Sequence, residues 1–184
     1  MPLTLIKEDG TGRVDANAYA DLTDANAYYD GHLYATAWAA ATDAQKAVAL
    51  VMATRLVDAE MQFNGTRMNA VQSLQWPRAK CPEPDSLHVP LSVLLPIPSE
   101  YVPYNIVPKA VIQATCEMAR ELLIADRTGA PPGEGLKYQN VGTSQTGYDK
   151  NDKPAVLSRV AQVMLAKYGT QMSALSGAVR LQRV

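Results

Sequence analysis

The side chains that could do chemistry in this sequence are two isolated histidines and a pair of acids on a predicted helix. His32 and His88 have no second histidine, and no carboxylate beyond Asp30, at metal-ligand spacing, which favours surface or turn positions over a metal site. Glu117 and Glu121 are one helical turn apart, as paired acid–base carboxylates can be. Arginines share their stripe, however, and that pattern is typical of a solvated helix face. We therefore expect that the protein is not an enzyme.

The two cysteines, Cys81 and Cys116, are too far apart for a CxxC redox or zinc motif. Cys116 falls within an apolar stripe of a predicted helix, which indicates a buried and unreactive thiol. Two cysteines alone do not make a disulfide framework, so we expect both thiols to be reduced in a cytosolic setting.

Three glycine- or aspartate-rich stretches resemble ligand loops but lack a required residue. The EDGTG stretch at 8–12 lacks GxGxxG spacing, and no helix follows it at once. GTSQTG at 142–147 lacks the lysine of a P-loop. DKND at 149–152 begins like a calcium loop, but Pro154 occupies the position that needs glycine. We therefore expect no nucleotide, no metal and no other cofactor.

Composition excludes several further classes of protein. The net charge is −1 with a pI near 6.1, so no overall electrostatic attraction draws the protein to nucleic acid. No run of about 18 apolar residues occurs, and the first residues do not have the pattern of a signal peptide. We expect a protein that stays in solution and does not contact membranes.

The segment from Thr42 to Arg78 is the predicted centre of the fold. Thr42 and Gln45 have the spacing of a capping box at the start of a helix that runs to Met61. One helix face carries Leu50 among other apolar residues. Val48, Met52 and Leu56 form a second stripe, predicting burial on more than one side. The residues that we expect to anchor the core are Trp38, Leu50, Trp76, Pro77 and Arg78.

Trp38, Trp76 and Arg78 admit two interpretations. In the first, both indoles pack in the core, the Trp76 N–H is directed to a carbonyl, and Arg78 is a structural hydrogen-bond donor. In the second, the rings stack on bases beside basic residues, as in proteins that bind single-stranded DNA.

Other patterns complete the predicted fold. We expect a helix capped by Thr23, a long helix over 109–127 that packs on the Thr42 helix, and a hairpin or mobile loop over 136–149. A last helix starts near Asp152 and Pro154 and stops at Gly169. The prediction is one mainly α domain over 1–184, a small helical bundle with minor β-strand or hairpin elements and extended arms.

Two segments have the character of arms. The proline-rich arm, residues 79–107, combines many prolines with apolar residues, which opposes helix formation and also opposes a freely solvated linker. It wraps either its own core or a neighbouring subunit, and the sequence leaves both possibilities open. The C-terminal tail, residues 169–184, is too short to form a core, so a partner would have to order it.

The first half of the chain carries a set of motifs that occur in a fixed order. They are EDGTG at 8–12, NAYADLTDANAYYDGH at 17–32, Trp38, the helix with Lys46, Ala49, Leu50, Ala53, Thr54 and Asp58, Gly65-Thr66-Arg67 and Gln75-Trp76-Pro77-Arg78. Together these motifs resemble a family of tailed-bacteriophage proteins often labelled DnaT-like single-stranded-DNA-binding. The resemblance covers residues 5–78 well and the helix after Pro108 more loosely. The long proline-rich insertion after Arg78 departs from the family pattern.

The resemblance implies a structural virion protein at the head–tail junction. Such a protein is an adaptor that forms a ring, with twelvefold symmetry like the portal, and joins the capsid to downstream neck or tail proteins while genomic DNA passes through without sequence-specific binding. The alternative is a DnaT-like replication accessory protein that binds single-stranded DNA. Under the connector hypothesis the tail residues that dock to the portal are Leu175, Val179, Arg180, Leu181 and Arg183.

Overall fold

A computed structural model describes residues 3–85, 100–129, 138–141, 144–147 and 155–172. The helices in these ranges are α1 (Leu22–Tyr29), α2 (Thr36–Ala40), α3 (Asp43–Glu60), α4 (Lys109–Ile124) and α5 (Arg159–Leu165). The strands are β1 (Met61–Phe63), β2 (Thr66–Arg67), β3 (Arg78–Ala79), β4 (Tyr138–Val141), β5 (Ser144–Gly147) and β6 (Gly169–Gln171). Helices hold most of the regular structure, and the strands pair antiparallel as β1–β6, β2–β3 and β4–β5. The fold is mainly α with small sheets, and the predicted hairpin is confirmed as β4–β5.

The central helix α3 begins where the sequence predicts. The Thr42 hydroxyl accepts a hydrogen bond from the Gln45 N–H, and the Gln45 side chain reaches back to the Thr42 N–H, which confirms the capping box. Leu50, Val57 and Met61 on its first apolar face are buried. Helix α3 packs against α4, as predicted, and α5 also packs against α4.

The second apolar stripe of α3 is not buried as expected. Val48 is 54% exposed, and Met52 and Leu56 are only partly buried. Val48 and Met52 line an open apolar groove of about 350 Å³, which Leu122 and Leu123 close on the α4 side. The prediction was wrong because a 3.6-residue period shows that a stripe is apolar but not that the chain itself covers it.

Two helices start at different residues from those predicted. Asp21, and not Thr23, caps α1 through a reciprocal pair of bonds with Asp24. Ser158 caps α5 by accepting from the Ala161 N–H. Helix α1 therefore starts earlier than predicted and α5 later, each at a short polar side chain that accepts a hydrogen bond from an N–H of the first turn.

Gly169 was expected to end the last helix, but it begins β6 instead. It lies opposite Phe63, and a side chain at this position would meet the Gln62 carbonyl oxygen at 2.5 Å. Only glycine permits this close approach of the two strands. Residues 169–171 therefore belong to the body of the protein and not to a free tail.

The two ends of the proline-rich arm are held together. The Glu83 N–H donates to the Glu100 carbonyl and the Val102 N–H to the Cys81 carbonyl, each at 2.9 Å. Residues 86–99 lie outside the described part of the chain, as do His88 and the proposed docking residues Leu175, Val179, Arg180, Leu181 and Arg183.

Candidate functional site

The Gln75–Arg78 motif lies inside the protein. Trp76 is fully buried, and the Trp76–Pro77 peptide bond is cis. The indole packs edge-on against Phe63, with ring centroids 5.6 Å apart, and against Tyr168 at 6.0 Å. The first ring comes from β1 and the second precedes β6, so Trp76 fastens the motif to the β1–β6 pair.

The indole N–H of Trp76 differs from the prediction. It was expected to donate to a carbonyl, but its nitrogen is buried and has no hydrogen-bond partner in the described part of the chain. The surrounding aromatic rings offer packing surface and no acceptor. Apolar contact therefore determines the position of this ring.

Arg78 makes hydrogen bonds with every N–H of its guanidinium group. The acceptors are the carbonyl oxygens of Asn64 at 2.8 Å, Gly65 at 2.8 Å, Phe63 at 3.2 Å and Gln75 at 3.1 Å, and the side-chain oxygen of Gln75 at 3.0 Å. Burial lowers the pKa of Arg78. Because all five donors are occupied by this chain, none is left for a phosphate group.

A second buried network ties the same motif to α3. The Tyr19 hydroxyl donates to Asp58 Oδ1 and accepts the backbone N–H groups of Gln75 and Trp76, each at 3.1 Å. Asp58 Oδ2 also accepts from the Gln75 N–H, at 3.0 Å. Two main-chain donors that have no partner in a sheet or helix are satisfied in this way.

Burial raises the pKa of Asp58 to about 6, and the bonds from Tyr19 and Gln75 only partly offset that effect. The folded protein therefore holds this proton more tightly than the unfolded chain. The stability that protonation contributes is full at low pH and is lost as the pH rises through about 6.

Asp58→Asn should reveal this dependence. Between pH 7 and pH 4 we expect the free energy of unfolding of the unmodified protein to rise by about 2 kcal/mol relative to the variant. Urea denaturation of both proteins across that range measures the difference, and subtraction removes the titration of the other acids. A difference that stays constant with pH would contradict the assignment.

The glycines of the EDGTG stretch bind a carboxylate of their own chain. The buried Glu8 side chain accepts the backbone N–H groups of Gly10 at 3.0 Å, Gly12 at 2.9 Å and Arg13 at 2.9 Å. These amides form the kind of concave donor set that binds phosphate in other proteins. Here Glu8 fills it, so the glycines order the loop and leave no place for a nucleotide.

Glu117 does not lie on a solvated face, contrary to the prediction. It is buried, and its carboxylate accepts from the Tyr28 hydroxyl at 2.7 Å and from Arg120 at 3.1 Å, with His32 Nε2 at 3.3 Å. These contacts fasten α1 and the turn after it onto α4. Within the residues that the structure describes, no group of three or more His, Cys, Asp or Glu side chains could hold a metal ion.

Trp38 also lies in the interior. Its Nε1 donates to the Asn26 side-chain oxygen at 2.9 Å, its ring lies 4.8 Å from that of Tyr29, and Lys46 Nζ is 5.4 Å from the ring centroid. Both predicted tryptophan anchors are therefore buried, at different places in the same core as Leu50. Neither ring is available to stack on a base.

The remaining predicted groups are also enclosed. Cys81 and Cys116 are buried free thiols, which confirms the predicted burial of Cys116, and burial raises the pKa of Cys116 to about 12. The sequence reasoning missed Glu8 and Tyr19. The close spacing of the glycine N–H groups after Glu8 was a usable signal, whereas the partners of the Tyr19 hydroxyl lie 39 or more residues away.

The surface of the described residues contains exposed apolar and aromatic side chains. The large ones with the highest exposure include Leu33, Tyr34, Val14, Val71, Val163 and Tyr104. None of the described helices is both long enough and apolar enough to cross a bilayer.

Comparison with known proteins places the chain in a family. Residues 3–184 match the family model described as "Putative DnaT-like ssDNA binding protein". Searches of curated proteins and of solved structures found no match. Because the matched region covers nearly the whole sequence, this protein belongs to that DnaT-like family.

Proposed function

We propose that this protein is a structural subunit of a head-to-tail connector ring in a tailed bacteriophage. In this role about twelve copies, the number set by portal symmetry, join beneath the portal and contact the neck or tail proteins below. DNA moves through the ring without sequence-specific contacts. The protein acts through contacts with other chains and catalyses no reaction.

The observation that carries the proposal is the set of apolar side chains that the described fold leaves uncovered. Val48 borders the groove between α3 and α4, and Val160 and Val163 lie on the outer face of α5. Exposed apolar surface of this kind is typical of contacts with other chains. The near-neutral charge also suits a channel, because a strongly basic lumen would retain DNA by phosphate contacts.

Deleting residues 177–184 tests the portal contact. We expect the truncated protein to lose most of its incorporation into particles, because Arg180, Arg183 and the apolar residues beside them would dock to the portal. The measurement is the amount of protein that co-sediments with purified portal rings, and electron microscopy of the mixture shows where it sits. The deletion lies beyond β6, so an unchanged unfolding curve is the control for folding. Normal incorporation of the truncated protein would remove this contact from the proposal.

Binding of single-stranded DNA is the second candidate, and the description of the family favours it. Trp38, Trp76 and Arg78 are buried, so the binding surface would have to use other residues. Tyr104 is 62% exposed and Lys109, also exposed, lies five residues later. Tight, salt-dependent binding of an oligonucleotide that Tyr104→Ala weakens, measured by fluorescence anisotropy, would favour this candidate over the connector role.

A further inference from the structure

The turn after α1 carries the two most exposed large apolar side chains of the described residues. Leu33 is 90% exposed and Tyr34 is 75% exposed. They are adjacent in the chain and form an apolar tip, and neither belongs to the core cluster. Removing this surface from water is favourable, but it requires a second apolar surface to cover it.

Hydrogen bonds hold the apolar tip in its outward position. The His32 N–H donates to the Tyr29 carbonyl at 3.0 Å, and the Tyr34 N–H donates to His32 Nδ1 at 3.1 Å. His32 Nε2 lies 3.3 Å from the carboxylate of the buried Glu117 on α4. The tip is therefore pre-ordered, and a pre-ordered surface loses less conformational entropy on binding than a flexible one.

The groove between α3 and α4 is a concave apolar surface of suitable size. Its volume of about 350 Å³ is near the lower end of the range of small-ligand pockets, about 300–1,000 Å³, so it suits one or two large side chains. A small-molecule site also needs convergent polar groups. Gln45 is the polar residue among the described walls, and its side-chain oxygen already caps α3. The groove therefore fits apolar side chains better than a polar ligand.

An unpaired charge lies beside each of these two surfaces. Asp30 precedes the tip by three residues, and its exposed carboxylate has no hydrogen bond or ion pair within the described ranges. Arg55 lies one helical turn beyond Met52 on the stripe that lines the groove, and it is also exposed and unpaired among the described residues. The acid beside the tip and the base beside the groove are complementary. Charges near the groove that are paired within the chain are Asp43 with Lys46 and Glu121 with Arg127.

We propose that the apolar tip of one copy inserts into the α3–α4 groove of a second copy, and that Asp30 pairs with Arg55 across the contact. The tip and the groove are different surfaces of one chain, so the contact is head-to-tail and each added copy presents a new tip. Head-to-tail contacts close into a ring when the rotation between subunits permits. This inference rests on the proposed function, because a ring of copies needs a contact of this kind.

The exposure of both surfaces favours a second copy over the same chain. Leu33 is 90% exposed and Val48 is 54% exposed in one and the same fold, so the tip does not fill its own groove. Two side chains and one ion pair bury less than the roughly 1,000 Å² of a stable interface. We therefore expect free copies to associate weakly and the ring to need further contacts, such as those with the portal.

Cysteine cross-linking of mixed variants tests the contact, because a disulfide traps a weak association. A tagged Leu33→Cys chain is mixed with a chain that carries Val48→Cys or, as the matched control, Val163→Cys. Val163 lies on the surface of α5 and is more exposed than Val48, so random collisions would favour the control. The native cysteines are buried, so disulfides report the introduced pair. We expect about tenfold more heterodimer with Val48→Cys than with Val163→Cys.

A chain that carries both Leu33→Cys and Val48→Cys tests the head-to-tail arrangement. We expect a ladder of cross-linked oligomers, because each copy then offers one tip and one groove. Products that stop at dimers would indicate a twofold contact, and a disulfide within one chain would place the tip in its own groove. Either result would overturn the inference.

Two further results would also overturn it. One is an equal yield of heterodimer with Val48→Cys and Val163→Cys, or no heterodimer with either. The other is a Val48→Cys chain that does not react with a soluble thiol reagent, which would show that another segment of the same chain covers the groove.

Charge reversal provides a second measurement. Asp30→Arg on the Leu33→Cys chain should lower the yield of heterodimer about threefold, because two cations then face each other across the contact. Arg55→Asp on the Val48→Cys chain should restore the yield. A yield that stays low in the double reversal, or that never falls, would contradict the proposed docking.

Co-sedimentation with purified portal rings separates this inference from the proposed function. Preferential cross-linking of tip to groove in a protein that does not bind portal rings would uphold this inference and refute the connector role. Portal binding without that preference would uphold the connector role and overturn this inference.

Discussion

Replacing Arg78 by methionine is expected to lower the free energy of unfolding by about 3–5 kcal/mol, which is a large part of the stability of a domain of this size. The methionine side chain fills much of the same space but leaves four main-chain carbonyls without their donor. The Phe63 carbonyl is buried and the other three are partly buried. A buried acceptor left unpaired costs about 1–3 kcal/mol, and a partly buried one costs less because water can reach it. Urea denaturation followed by circular dichroism measures the loss. Arg78→Lys should recover only a small part of it, because a single ammonium group cannot reach carbonyls spread from Phe63 to Gln75.

Arg67 provides the matched control. It lies opposite Arg78 in the β2–β3 pair, but its side chain is exposed and makes no hydrogen bond in the described part of the chain. Arg67→Met therefore changes the same charge on the same hairpin, and we expect a shift within about 0.5 kcal/mol. Equal losses from the two substitutions would mean that charge, and not the carbonyl cluster, explains the role of Arg78.

Local patterns predicted the elements whose causes are local. The capping box of Thr42 and Gln45 and the first buried face of α3 depend on residues within a few turns of each other, and both are confirmed. The pairing of α3 with α4 also follows from two strong apolar faces. The start of α5 was predicted too early. Asp152 and Pro154 indicated a helix start in their vicinity, but Ser158 is the residue that caps the helix.

Contacts between distant segments were beyond what the sequence could predict. In the sequence, the neighbours of Glu117 on its helix are charged residues, which suggests a side chain exposed to solvent. Tyr28 and His32 reach Glu117 only because α1 folds onto α4. Likewise, the exposed apolar stripe of α3 that includes Val48 has the same helical spacing of apolar residues as the buried stripe of that helix. In a subunit of an assembly such a stripe is covered by another chain, so a single sequence shows where apolar surface lies but not which molecule buries it.

The buried motif also changes how DNA-binding experiments should be designed. Gln75–Arg78 is one of the motifs that carry the resemblance to the family, and it combines an aromatic ring with a cation, as a base-stacking site would. Its ring and its guanidinium are used entirely for internal contacts. An effect of substitutions here on any binding assay must therefore be separated from an effect on folding.

Replacing Trp76 by alanine is expected to destabilise the protein by about 3–5 kcal/mol, because it opens a cavity between Phe63 and Tyr168 where the β1–β6 pair meets the motif. Trp76→Phe is the matched control and should cost clearly less. It retains an edge-on ring, and it removes an indole N–H that has no partner in the described part of the chain. Thermal and urea denaturation measure both variants. A folded Trp76→Ala protein with undiminished stability but no affinity for single-stranded DNA would refute the packing role. Parallel loss of stability and binding would show that the ring supports the fold and does not read a base.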